Sequence, residues 1–293
     1  MAATATVSSL NESTIARWNG DEARQWVTHA DRFDAMLGSY GSRVLAAARL
    51  APGDRVLDIG CGTGATVLDA AWAVGSSGRV VGVDVSAPLL DHARHRLAPF
   101  GLDERVTLIR ADAQTHPFIP ARADAVVSRF GLMLFADPDA AFANVARALR
   151  PNGRFAFVTW QGADRNAWFH LPHAALAEHV PAPADTLGAA SPTGPCPFSL
   201  ADPARLHELL ERAGLVEVRT ESVVEPVWLG ADPDDVMAFY DDAYGAGLRA
   251  ALDAMTVERV IGTLREELAA FATPQGVFVP AAAWLVSATR SPT

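Results

Sequence analysis

"VLDIGCGTGA", residues Val56–Ala65, is the stretch on which the reading of this chain turns. Three apolar residues surround an aspartate and lead into a turn with glycines at positions 60, 62 and 64. An apolar run of this length ending in glycine reads as a buried strand whose following turn lets a ligand approach the backbone. The spacing is G-x-G-x-G, not the G-x-G-x-x-G of a dinucleotide fold, and the lysine and hydroxyl residue of a P-loop are missing.

Outward from the turn, strand-like and helix-like segments alternate. "APGD" (Ala51–Asp54) breaks the chain before the strand Arg55–Ile59, and the spacing of Val67, Leu68, Ala71 and Trp72 predicts a helix closed by Gly75. "RVVGVDV" reads as a second strand, followed by Ser86 as a helix cap with Pro88 in the first turn. "RVTLIRAD" and "ADAVVSRFGLMLF" read as strands three and four, with a loop from Gln114 to Arg122 between them. Asp137 and Pro138 open a helix with Ala141, Phe142, Val145 and Leu149 on one face, and "PNG" leads into "RFAFVTW". Nearly continuous apolar strands alternating with amphipathic helices predict an α/β fold with a parallel sheet covered on both faces.

The flanks read differently. Residues 15–48 are helical, punctuated by Gly20, Gly38 and Gly41, and form an N-terminal helical cap segment, 1–48. The Pro-, Gly- and Ala-rich stretch 162–200 reads as part of a cap. A helix, "ADPARLHELLERAG", and an extended run, "LVEVRTESVVEPVWL", precede two helices within about 232–272, which read as an insertion into the domain 49–293. "GVFVPAAAWLVSATR" is the closing strand.

Composition narrows the function classes. A chain of 293 residues with 50% hydrophobic content suits a folded enzyme. Its formal net charge of −10 argues against a nucleic-acid partner. Two cysteines, Cys61 and Cys196, suggest neither a disulfide framework nor a zinc site. The eight histidines show no metal-ligand spacing, so no metal is expected. "MAATATVSSLNEST" reads as a polar leader without a signal-peptide core, and no apolar run is long enough to span a membrane, so a cytoplasmic location is expected.

Three acids identify the ligand of the turn. Asp58 stands two residues before the turn, where it would repel a pyrophosphate and welcome an ammonium. Asp84 ends the second strand, where a carboxylate accepts from two ribose hydroxyls, and Asp112 ends the third, beside an adenine amine. A nucleoside with a cationic tail, S-adenosyl-L-methionine, suits all three.

Taken as an ordered set, "VLDIGCGTG", "VVGVDVS", "IRADAQTHPF", "SRFGLMLFADPDAAFANVARALRPNGRFAFVTW" and "AAAWLVSA" resemble the class I S-adenosylmethionine-dependent methyltransferases of the UbiE/COQ5-like type. The resemblance is specific over residues 55–160 and looser beyond. It implies a Rossmann-like, doubly wound, seven-stranded sheet whose last strand, "GVFVPAAAWLVSATR", is antiparallel. It implies that Gly60, Cys61 and Gly62, with Gly64 in the same turn, meet the methionine portion. Asp84 and Val85 would hold the ribose and flank the base, Asp112 and Ala113 would lie at the adenine, and Ser128 and Arg129 at the rim of the methyl-transfer site. Thr115 and His116 before Pro117 depart from the family's commoner acidic-apolar-Pro-Phe pattern.

The acceptor side is less determined. In resembling enzymes the N-terminal segment folds over the cofactor, which makes Trp26 a candidate for cation–π contact with the sulfonium. Arg129 is a candidate for a substrate carboxylate or for a local acid. His29, His170 and His173 lie in cap segments as candidate bases, His29 and His170 foremost, and Tyr240 and Tyr244 of "FYDDAY" as candidate substrate contacts. The expected activity is methyl transfer to an O, N or C atom of a small, largely apolar, specialised-metabolite acceptor, without nucleic acid or membrane, and with a homodimer left open. The alternatives are a cofactor-binding protein of this fold that does not methylate, such as a cyclase-like catalyst or an interaction module, and an NAD-dependent oxidoreductase.

Overall fold

A computed structural model describes residues 11–180 and 196–292. The chain opens with α1 (Glu12–Arg17), α2 (Asp21–Thr28) and α3 (Ala30–Ala48). The alternating part follows as β1 (Arg55–Ile59), α4 (Ala65–Val74), β2 (Arg79–Asp84), α5 (Ala87–Leu97), β3 (Val106–Arg110), β4 (Ala123–Arg129), α6 (Pro138–Ala148) and β5 (Leu149–Trp160). Then come α7 (Ala167–His179), α8 (Pro203–Arg212) and β6 (Leu215–Gly230). Finally α9 (Pro233–Tyr240), α10 (Ala246–Ala251) and α11 (Ala254–Ala269) precede the short β7 (Ala272–Thr273) and β8 (Gly276–Arg290).

The strands form one sheet in the order β3-β2-β1-β4-β5-β8-β6, with β7 pairing β8 off that path. Neighbours among β1 to β5 run parallel, and β8 runs antiparallel to both β5 and β6. This is the doubly wound, Rossmann-like sheet with a reversed closing strand that the sequence predicts. Strand order reverses between β1 and β4, and in such sheets the crevice at that reversal, beyond the carboxyl ends of the strands, is where ligands bind.

A repeated device sets the helix starts. Ser86, Asp137, Asp202 and Asp232 each accept from a backbone N–H of the first turn, and each is followed by a proline at the first or second helical position. The cap satisfies an orphan donor at about 1 kcal/mol, and the proline sits where its missing N–H is not needed. On α4 the buried stripe runs Val67, Ala70, Ala71, Val74, an i, i+3, i+4, i+7 face against the sheet. Trp72 lies off that stripe, 54% exposed, edge-on to Phe100.

Other boundaries differ from the sequence reading for identifiable reasons. The fourth strand stops at Arg129, because Phe130 takes a left-handed φ of 60° and Leu132–Leu134 form a 3-10 turn. Gly38 and Gly41 do not interrupt α3. Gly41 faces the Arg129 side chain, whose Cδ would lie 3.4 Å from an added Cβ, an ordinary contact distance. The polar leader is shorter than "MAATATVSSLNEST": Asn11 and Thr14 are buried, and residues 1–10 lie outside those described. Part of the Pro/Gly/Ala-rich stretch, 181–195, also lies outside them, whereas its first half forms α7 around an internal Pro172.

Candidate active site

The turn after β1 is built by close backbone packing. Gly60 has φ 67°, and a Cβ there would lie 2.8 Å from the Cα of Gly131, in the loop that leaves β4. Gly62, at φ 52°, has open space where its Cβ would point. Gly64 serves packing, since a Cβ there would meet the Cβ of Ala93 on α5 at 2.9 Å. The Gly60 and Cys61 N–H groups donate to the Val83 carbonyl, which ties the turn to the end of β2.

Asp84 completes this arrangement. One carboxylate oxygen accepts from the Gly62 N–H at 2.9 Å and the other from the Ser86 N–H at 2.9 Å. Burial raises its pKa, while those backbone donors pull it down. Each oxygen keeps a lone pair for a ligand hydroxyl. Asp112 accepts from Gln114 N–H and from the Asn11 amide, both at 2.9 Å. Asn11 also donates to Gln114 Oε1 and accepts from Ala136 N–H, so it pins the start of α1 to the loops after β3 and β4.

Asp58 is 1% exposed, and neither carboxylate oxygen has a hydrogen-bond partner among the described residues. Burial pushes its pKa up to about 7, with Arg129 opposing and Asp84 adding to the rise. A buried carboxylate without donors is costly, and an ammonium group brought close would relieve the cost. Burial also pushes the Cys61 thiol up, reinforced by Asp84 and Asp58, so Cys61 is a neutral, apolar part of the wall.

One cavity of about 550 Å3 opens above these strand ends. Of the residues singled out from sequence, Trp26, Gly60, Cys61, Gly62, Asp84, Val85, Asp112, Ala113, Arg129, His173, Tyr240 and Tyr244 line it. Asp58, Gly64, Ser128, His29 and His170 do not. Ser128 is buried in the framework, donating to Ile59 O at 2.7 Å and accepting from Gly131 N–H. His29 Nε2 lies 2.7 Å from an Asp242 carboxylate oxygen and its ring meets Phe239 edge-on, which places it in the contact between the N-terminal helices and the segment after α9. Arg129 faces Asp34 at 3.4 Å, and Asp34 also pairs with Arg96 at 2.5 Å, so the local acid is the partner the structure shows. Trp26 stacks on Phe33 with ring centroids 4.0 Å apart.

The far wall is aromatic. Phe130 stacks on Trp160 at 4.0 Å, Trp160 meets Trp168 at 5.2 Å, and Trp168 packs on Phe169. Tyr240 belongs to this wall as a strut. Pro172 lacks the N–H that would bond the Trp168 carbonyl four residues back, and the Tyr240 hydroxyl donates to that carbonyl at 2.9 Å. Burial raises the Tyr240 pKa, with Tyr244 adding to it, so the hydroxyl stays protonated.

Sequence reasoning missed Asn11, the Phe130–Phe135 segment as a cavity wall, and α7 as the helix that carries Trp168 and Phe169 beside the candidate His173. Asn11 directly before an apolar-periodic helix is a cap-like signal, although its side chain spans to Asp112 instead. Pro172 masked the helical pattern of α7.

Comparison with known proteins bears on this geometry. Residues 56–153 match the family model of a methyltransferase domain. That segment holds the glycine turn, Asp84, Asp112 and Arg129, the cavity's floor. The aklanonic acid methyltransferase DauC of Streptomyces sp. (strain C5) is 38% identical over 120 residues, 41% of this chain and 54% of that protein. The ubiquinone/menaquinone biosynthesis C-methyltransferase UbiE of Teredinibacter turnerae is 41% identical over 103 residues, 35% of this chain and 41% of that protein. The matched part thus spans about half the length of these relatives, 54% and 41%. Among solved structures, the YcgJ protein from Bacillus subtilis superposes with a TM-score of 0.57 at 19% identity, over 87% of this chain and 99% of that one, which shows the shared fold. Among the described residues no helix is long and apolar enough to cross a membrane.

Proposed function

We propose that this protein is a class I S-adenosyl-L-methionine-dependent methyltransferase, related to the UbiE/COQ5-like group, acting in the cytoplasm on a small, largely apolar acceptor rather than on nucleic acid. The observation that carries the reading is the unpartnered, buried Asp58 carboxylate beneath a glycine turn that leaves open space at Gly62. The residues fit the cofactor. Asp58 would balance its ammonium, Gly60 to Gly62 would lie along its methionine portion, Asp84 would accept from the ribose and Asp112 would face the adenine. When bound, the cofactor supplies an activated methyl group on a sulfonium.

The chain's own task is alignment and exclusion of water, which holding two reactants in one enclosed cavity achieves. Aromatic walls from α7, α9 and the N-terminal helices support an apolar acceptor. The matched relatives are named for aklanonic acid and for quinone biosynthesis, which agrees with that chemistry without fixing this chain's acceptor. The N-terminal helices (about 15–45), the stretch after Trp160 and the insertion 232–272 are the segments we assign to acceptor recognition.

Thermal unfolding with S-adenosylhomocysteine, S-adenosylmethionine or NAD present tests the reading. Ligand at about 100 times its dissociation constant stabilises by about 2.7 kcal/mol, a rise of several degrees in melting temperature. A rise with the two adenosyl compounds and none with NAD is expected, and the reverse pattern would overturn the proposal. Methyl transfer from labelled cofactor to a panel of quinols, phenols and polyketide acids separates the enzyme from a cofactor-binding protein that does not methylate.

A further inference from the structure

We propose that His173 is the general base of the transfer and that the acceptor is a planar aromatic compound bearing a phenolic or enolic hydroxyl. Among the described histidines, His173 is the one that lines the cavity. Its Nδ1 lies 2.7 Å from the Phe169 carbonyl oxygen. A carbonyl only accepts, so Nδ1 carries a proton and Nε2 is the nitrogen that can serve as base. Nε2 is shielded from solvent and has no hydrogen-bond partner among the described residues. The backbone thus holds the Nδ1 proton, and Nε2 is the nitrogen left for a donor brought by a ligand.

The surroundings suit the charge that proton uptake would create. The Phe169 carbonyl that fixes the tautomer also stabilises an imidazolium, and the Phe169 ring stacks on the imidazole at 4.0 Å and 26°. Tyr240 closes the carbonyl left open by Pro172, directly before His173, and so ties α7 to the end of α9 at this point. The other candidates are engaged or displaced: His29 is paired with Asp242, His170 does not line the cavity, and the Tyr240 hydroxyl is committed to Trp168. Phe130, Trp160 and Trp168 line the cavity with aromatic side chains, which favours an aromatic acceptor.

The step balances without a further reactant. The acceptor's O–H bond gives its proton to Nε2, and the oxygen forms a bond to the methyl carbon of the sulfonium donor. The carbon–sulfur bond breaks with its electron pair left on sulfur, giving a methyl ether, a neutral thioether and an imidazolium that returns its proton to water.

The chemistry rests on the methyl-transfer reading, while the imidazole's tautomer and its contact with a hydroxyl do not. The test therefore uses the full chain, labelled with 15N-histidine, titrated with 2-naphthol and with 2-methoxynaphthalene, with and without S-adenosylhomocysteine. The expected result is an unprotonated Nε2 that shifts on adding 2-naphthol, and affinity for 2-naphthol about five- to tenfold above that for the ether. In His173→Phe the two probes should bind alike and S-adenosylhomocysteine should bind as it does to the native chain. A protonated Nε2, equal affinities in the native chain, or no binding of 2-naphthol would each overturn the assignment. Should His173→Phe fail to fold, the Nε2 resonance of the native chain still decides it. Loss of S-adenosylhomocysteine binding by the native chain would refute the proposed function instead.

Discussion

Two alanine substitutions in the same turn should have opposite consequences, and their difference is set by two backbone approaches. Gly60→Ala forces a side chain onto a left-handed residue, at about 1–2 kcal/mol. Its Cβ would also lie 2.8 Å from the Gly131 Cα, backbone that cannot swing aside. Overpacking of this kind costs about 1–3 kcal/mol, so the total is about 2–5 kcal/mol from a stability of about 5–15. Gly62→Ala carries the same left-handed cost but meets nothing within 4 Å. Its methyl group instead enters the cavity beside the N–H that Asp84 holds. Urea unfolding of the cofactor-free chains should therefore show Gly60→Ala as the less stable by about 1–3 kcal/mol. Calorimetric titration with S-adenosylhomocysteine should show Gly62→Ala weakened by about tenfold or more. Equal stabilities, or native affinity in Gly62→Ala, would refute the account of the turn.

Other perturbations test the acids and the aromatic wall. Asp84→Ala should lower S-adenosylhomocysteine affinity at least about tenfold, since hydrogen bonds to a charged acceptor contribute about 1.5–3 kcal/mol each, and unchanged affinity in calorimetry would remove the ribose assignment. Asp58 keeps its proton in the folded chain up to pH about 7, whereas unfolded it titrates near 3.8, so its contribution to stability falls as pH rises between those values. Asp58→Asn should flatten that part of the stability profile, and binding of S-adenosylhomocysteine near pH 6 should release a proton in the native chain only, as read by calorimetry in buffers of different ionisation enthalpy. Tyr240→Phe should lose about 1–3 kcal/mol of stability in urea, because the Trp168 carbonyl loses its donor, with cofactor affinity unchanged; equal stability would deny the strut.

What the sequence made legible was what short-range chemistry decides. The alternation of apolar strands with capped helices is written in Ser86 with Pro88 and Asp137 with Pro138, and the structure uses both as caps. The glycine turn and the acids at strand ends were legible for the same reason, since backbone geometry links Gly62 to Asp84 across one strand–helix–strand unit. What stayed hidden depends on contacts distant in sequence. Asn11 reaches Asp112 across 101 residues, and nothing local marks a leader asparagine as the bolt of a closed loop. Strand four ended early because Phe130 adopts a left-handed conformation to let Gly131 pack on Gly60, a constraint visible only once both loops are placed. Pro172 is the clearest case. Read locally it forbids a helix, yet α7 runs through it because a tyrosine hydroxyl from 68 positions later, counted from Pro172 to Tyr240, supplies the donor that proline lacks. The same contact shows what Tyr240, a candidate substrate contact by its sequence position, does in the cavity wall: its hydroxyl holds the Trp168 carbonyl.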